Sequence, residues 1–260
     1  IDHTYRVAAL CEKIADSVGL TGEDKDVAWL LGMLHDIGRF EQIKRYNTFS
    51  DADSVDHAKF GADLLFKDGL ISTFLNGMVK CTGYKPGALE DRYSSDGVFL
   101  YDRLNKSDME MLELAIRCHN MYRIPQGLNR REQAFCNVLR DADKVDIFKV
   151  NIDTPLEEIY NTTTEELMKS DITDEVLEAF DEEHCILKAI RRTPADTVIG
   201  HVSLAYELVY DESVRITVEQ GYLAKLMHFH SDNEATNRKM AMVREKMDSY
   251  VKKRIGEKDA

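Results

Sequence analysis

Residues 27–37 read VAWLLGMLHDI, a run that is apolar almost all the way round a helix and closes on an adjacent histidine and aspartate, His35 and Asp36. A helix that is hydrophobic on every side is surrounded by other helices rather than laid on a surface. A carboxylate delivered into such surroundings needs a partner, because burying an unpaired charge is costly. Gly38 follows at once and is expected to stop the helix.

Similar patterns lie on both sides of this run. In residues 4–18, Val7, Leu10, Cys11, Ile14 and Val18 recur at helical spacing, and His3 sits four before Val7 on the same inward face. The turn-rich stretch NTFSDADSVD, residues 47–56, precedes His57, which opens a periodic segment with Phe60, Gly61, Leu64 and Leu65. Gly61, one turn after His57, leaves room for another backbone or a ligand. Residues 106–120 place Met111 or Leu112, Ala115 and His119 on one helical face, and RIPQGLNRR, residues 123–131, then breaks the pattern and offers three arginines. In residues 132–148, Ala134, Val138, Asp141, Val145 and Phe148 follow at steps of four, three, four and three, which turns Asp141 inward.

The sequence CTGYKPGALEDRYSSDG, residues 81–97, reads as a long loop or lid. Beyond residue 150 the helical candidates continue at 155–168, 173–192, 197–209 and 217–253, with Pro194 as the clearest break. VRITV, residues 214–218, alternates too briefly to build a sheet, and no βαβ alternation occurs. The expected fold class is all-α, a helical bundle with additional C-terminal helices. A length of 260 residues with no linker-like stretch suggests a single domain, 1–260, with a core at 1–150 and a helical extension at 151–260 packed on it. The extension is expected to cover the site, to form a homo-oligomer contact or to complete the core, through Met240, Val243, Met247 and Val251 of its last helix.

With 43% apolar and 31% charged residues, the composition is that of an ordinary globular chain. No apolar run approaches a membrane span and no signal-peptide pattern opens the sequence, so a cytoplasmic location without a membrane partner is expected. The five cysteines are scattered and form no C-x-x-C, so reduced thiols are expected. A net charge of -13, from 47 acidic against 34 basic residues, disfavours a nucleic-acid polymer as partner. A small phosphorylated substrate remains compatible, provided that metal ions supply local positive charge.

His3, His35, His57, His119, Asp36 and Asp141 come from five segments whose patterns face inward, so a bundle can gather them. Taken singly, each has an ordinary explanation as a hydrogen-bonded core histidine, a cap or an ion-pair partner. Taken together, imidazole nitrogen with carboxylate oxygen suits divalent first-row ions. Nucleotide-fold dehydrogenase, kinase and serine-hydrolase motifs are absent.

The residues HDIG, His35 to Gly38, preceded by His3 and followed by Asp141 within LRDADKVDI, resemble the H…HD…D pattern of the HD superfamily of metal-dependent phosphohydrolases. The resemblance covers roughly residues 1–150. It implies that His3, His35, Asp36 and Asp141 bind one metal and that His57 and His119 hold a second, with Asp36 bridging. One or two divalent ions are expected, drawn from Mn, Fe, Mg, Zn and Ni. Arg39 and Lys144 are expected to act beside Asp36 in catalysis, and Arg39, Arg123 and Lys144 to bind the substrate anion. The implied reaction is hydrolysis of a phosphomonoester, phosphodiester or phosphoanhydride of a nucleotide or small metabolite. Two other readings fit the same six ligands: an HD-fold di-iron oxygenase and a metal-binding regulatory protein without catalysis. The cyclic-dinucleotide branch fits less well, because Asn120 rather than a second histidine follows His119 and no GYP follows the HD pair.

Overall fold

The computed structural model describes residues 1–73 and 104–256, and among these it contains helices and no strand. The expected loop at 81–97 lies outside the described residues. The chain divides into two compact units, 1–142 and 143–260. Among the described helices, none is long and apolar enough to cross a membrane.

The first unit begins with α1 (Asp2–Ser17) and α2 (Glu23–Leu34), which pack along each other. Val7, Cys11 and Ile14 of α1 and Leu31 and Leu34 of α2 are wholly buried, as their spacing requires. The two helices touch closely at Gly32, where an added Cβ would fall 2.5 Å from the Ala8 Cα. This crossing sets the start of α1, with His3, beside the end of α2, with His35.

Gly38 does not stop α2. The helix ends at Leu34, His35 and Asp36 form a turn, and Gly38 lies inside α3 (Ile37–Tyr46) at a negative φ. Its lack of a side chain serves packing: a Cβ there would meet the His57 carbonyl oxygen at 2.2 Å and the Gly61 nitrogen at 2.8 Å. Gly61 belongs to α4 (His57–Ala62), which continues as a π-turn, Asp63–Lys67. The close backbone approach read from Gly61 is therefore made by Gly38. Next, α5 (Lys106–Cys118), started by an Asn105–Asp108 capping box, lies against both α2 and α4.

The unit limit falls inside α6 (Arg130–Asp153), which runs unbroken across it. Val138, Asp141, Val145 and Phe148 are all fully buried, in agreement with the expected inward face.

In the second unit the long helices expected from periodicity are divided. Asn161 at φ 48° separates Leu156–Tyr160 from Thr164–Lys169, and Gly221 at φ 69° separates Asp211–Gln220 from Tyr222–Met227. VRITV lies in the Asp211–Gln220 helix. Pro194 opens Pro194–Val202 at a position where its missing N–H costs nothing, and Thr193 with Asp196 forms the capping box. That helix packs against Leu156–Tyr160, Thr164–Lys169, Asp174–Asp181 and Tyr222–Met227 and carries the buried Val198, Ile199 and Val202. Met240, Val243, Met247 and Val251 of the last helix, Glu234–Ile255, are buried within the chain. Cys11, Cys118, Cys136 and Cys185 are free thiols.

The Gly38–Gly61 approach leaves no space for a methyl group. Gly38→Ala is expected to lower stability by about 2–3 kcal/mol, read as a shifted urea midpoint of the metal-free protein. An unchanged midpoint would show that the crossing is soft.

Candidate metal centre

Each histidine of the first unit's centre sits at the end of a helix. His3 lies in the first turn of α1, His35 caps the end of α2, His57 begins α4 and His119 caps the end of α5. Asp36 is the residue from which α3 starts. The four imidazoles form an edge-to-face series, with ring centroids 5.4 Å apart for His3 and His35, 5.3 Å for His35 and His119, and 5.0 Å for His57 and His119.

The Asp36 carboxylate divides these rings into two pairs. Its Oδ2 lies 3.7 Å from the Nε2 of His3 and 3.7 Å from that of His35. Its Oδ1 lies 3.4 Å from the Nε2 of His57 and 3.8 Å from that of His119. Ligand atoms of Asp36, His57 and His119 fall within 4.8 Å of one another. A second grouping of the same width contains His3, His35 and Asp143.

Hydrogen bonds set which ring nitrogen faces inward. His35 Nδ1 meets the Gly32 carbonyl at 2.7 Å, His119 Nδ1 meets the Ile116 carbonyl at 2.7 Å, and His57 Nδ1 meets the Asp51 carboxylate at 2.7 Å. Carbonyl and carboxylate oxygens only accept, so Nδ1 carries the proton in each ring and Nε2 presents a lone pair. The Nε2 atoms of His57 and His119 are 3.0 Å apart. Two lone pairs at that separation repel unless a cation lies within reach of both. The donor set, imidazole nitrogen and carboxylate oxygen, therefore fits a divalent transition ion.

Asp51 holds His57 and is held in turn. Arg39 Nη1 donates to it at 2.8 Å and Gln42 Nε2 at 3.0 Å, while Asn120 Nδ2 reaches it at 3.4 Å and Asp56 at 2.9 Å. Partial burial opposes ionisation of Asp51, but the hydrogen bonds from His57 and Gln42 and the charge of Arg39 outweigh it. The carboxyl is held well below the usual range. At the end of α5, buried Arg140 donates to the carbonyls of Met121 and Tyr122, which fixes the chain just after His119.

Arg39, expected on the substrate, is turned to Asp51, Gln42 and the Phe49 carbonyl, with its Nε 3.7 Å from Asp36 Oδ1. Arg123 is exposed and lies over the Tyr122 ring. Lys144 is buried. Asp141, expected as the fourth ligand of the first ion, is fully buried and belongs to neither grouping, whereas Asp143 belongs to one. Two residues along an α-helix are about 200° apart, so these carboxylates leave α6 in nearly opposite directions. The inward apolar face selected Asp141, and the partly exposed Asp143 lay off that face.

Residues 1–190 match the HD domain family. The chain belongs to the HD domain family. No curated protein and no solved structure matches it significantly. The HD fold and its two His/Asp groupings provide for one or two divalent ions and make the protein a metal-activated hydrolase of the HD phosphohydrolase kind. No local sequence pattern marks Asp51, Gln42 or Arg140 as part of the centre. Asp51 is one of three aspartates in a turn-rich segment, and only the fold selects it over Asp53.

Asp51→Asn keeps the shape but weakens the grip on His57. Metal affinity in the Asp36–His57–His119 grouping is expected to fall about 10- to 100-fold, followed by calorimetric titration with Mn²⁺. Affinity equal to that of the unaltered protein would remove Asp51 from the design.

Proposed function

We propose that this HD-family protein cleaves a phosphate ester or phosphoanhydride of a nucleotide or other small metabolite with a water molecule that divalent ions, held by these residues, would activate. The observation that supports this most directly is the Asp36 carboxylate, with one oxygen toward His3 and His35 and the other toward His57 and His119. That arrangement suits a bridging carboxylate. In this reading His3, His35, Asp36 and the α6 carboxylate Asp143 hold the first ion, and Asp36, His57 and His119 the second. Manganese, iron, zinc, nickel and magnesium all suit such ligands, with the imidazoles favouring the first four.

When bound, the ions neutralise phosphoryl oxygens and lower the pKa of a water for attack at phosphorus. A new phosphorus–oxygen bond forms and the bond to the leaving oxygen breaks, giving phosphate and an alcohol or a shorter phosphate. The side chains keep the Nε2 lone pairs inward, and no protein nucleophile is needed. Arg39 acts by anchoring Asp51, which orients His57, while its Nε remains beside Asp36. Arg123, which lies over the Tyr122 ring, and Lys144 are the side chains assigned to the substrate anion.

Asp36→Ala should abolish turnover and empty both positions, whereas His57→Ala should remove one equivalent of metal. Asp143→Asn should weaken the position served by His3 and His35, and Asp141→Asn should leave metal content intact. Metal analysis paired with phosphate release from a panel of nucleotides and sugar phosphates, run without oxygen, reads all of these. Full metal content and turnover in Asp36→Ala would overturn the bridging assignment. Oxygen consumption by the iron-loaded protein without phosphate release would replace hydrolysis with oxygenation.

A further inference from the structure

The second unit holds a group of basic side chains that the hydrolytic chemistry does not use. Arg191 lies between the 3₁₀ turn Lys188–Ile190 and the Pro194–Val202 helix. Its guanidinium rests against Gly200, where an added Cβ would fall 2.3 Å from both Cζ and Nε. Nη2 donates to the Ile186 carbonyl. Nε is buried without an acceptor. A guanidinium offers five N–H donors in a fixed fork, and the Ile186 carbonyl occupies one of them.

The nearby carboxylates are committed elsewhere. Asp196 acts on Arg191 at longer range, but its oxygens accept the backbone N–H groups of Thr173, Arg192 and Thr193. Glu207 accepts the Cys185 N–H at 3.4 Å. Burial outweighs both the Cys185 and the Asp196 contribution and pulls the Arg191 pKa below its usual value. In a chain with 47 acidic residues, carboxylates are not scarce, yet none of the described ones makes an ion pair with this guanidinium.

Other basic groups share the neighbourhood. His201 follows Gly200 directly, and its Nδ1 is also buried without a partner. Burial, with the charges of Arg191 and Lys188, pushes its pKa down to about 3, so the ring is neutral near pH 7 and can offer a neutral N–H. Lys188 is exposed, and the charges of Arg191 and Lys144 both act on the Cys185 thiol.

We propose that Arg191, with Lys188 and His201, forms a binding site for a phosphoryl oxyanion, either inorganic phosphate or the phosphate group of a small metabolite. The guanidinium fork matches two oxygens of such a group. Two positive charges and a neutral ring donor favour a dianion over a singly charged carboxylate. Gly200 is the cradle, since any side chain there would displace the fork. The site needs no metal, so it can be tested independently of the hydrolase reading.

The test is calorimetric titration of inorganic phosphate into the whole chain after metal has been removed with a chelator. One saturable site is expected, with acetate failing to compete. Arg191→Met and Gly200→Ala should each weaken binding about tenfold or more, and Lys188→Gln about threefold. Ribose 5-phosphate, titrated in parallel, distinguishes the sources: tighter binding than inorganic phosphate assigns the site to a metabolite, and equal or weaker binding assigns it to the free ion. Circular dichroism without phosphate checks that each variant folds; if Arg191→Met does not, the exposed Lys188→Gln carries the test. No saturable binding to the unaltered chain, or unchanged affinity in the folded variants, would overturn the proposal. Acetate binding as tightly as phosphate would overturn the phosphoryl assignment.

Discussion

The Asp36 carboxylate can face two histidine pairs because two backbone crossings bring three helix ends to it, and α5, packed on α2 and α4, brings the fourth. One crossing is the contact of Gly32 with Ala8, and the other is that of Gly38 with Gly61. Neither crossing has space for a Cβ, so at both of them main chain meets main chain. Main-chain packing is stiff, because interiors are close-packed and small shifts are felt by every neighbour. Catalysis by positioned ions demands that stiffness. The apolar run of α2 and the glycine after the HD pair thus contribute to one result: the α2–α3 turn is pinned on both sides, and Asp36 leaves from its middle.

Charge follows the same logic. Asp36 and Asp51 are partly buried on adjoining segments, and Arg39 lies 2.8 Å from Asp51 and 3.7 Å from Asp36. It offsets part of the repulsion between them, while Asp51 is engaged through the proton on His57 Nδ1. Asp36 remains the carboxylate facing inward, where its negative charge would meet a divalent ion held with the ring nitrogens. A net charge of -13 is compatible with a phosphorylated substrate on these terms, since the local field is set by the ions rather than by the chain total.

Much of this was legible in the sequence, and the exceptions share a cause. Periodicity turns His3, His119 and Val138 inward because each lies on, or at the end of, a helix long enough to repeat its apolar spacing. It points to Asp141 because an inward pattern reports burial, whereas Asp143, which the fold groups with His3 and His35, is only partly buried and lies off that face. Gly38 was read as a helix stop because a glycine after an apolar run has that meaning more often than close contact. The divisions at Asn161 and Gly221 interrupt apolar patterns that continue on either side, so spacing alone joined those helices. Asp51 and Gln42 act through contacts between a loop and α3, which no local pattern encodes.

Helix ends also explain why only one of three rings needs a carboxylate to orient it. An α-helix leaves the carbonyls of its last turn without intrahelical partners. His35 and His119 each cap a C-terminus, and each meets the carbonyl three residues back, Gly32 or Ile116, through Nδ1. The helix itself therefore fixes the tautomer and turns Nε2 toward the centre, with no further residue required. His57 begins α4, where the open groups are N–H donors and cannot accept the Nδ1 proton. An acceptor must come from elsewhere, and the loop supplies Asp51, secured by Arg39, Gln42 and Asn120. The elaborate network around His57 is thus a consequence of which end of a helix the ligand occupies.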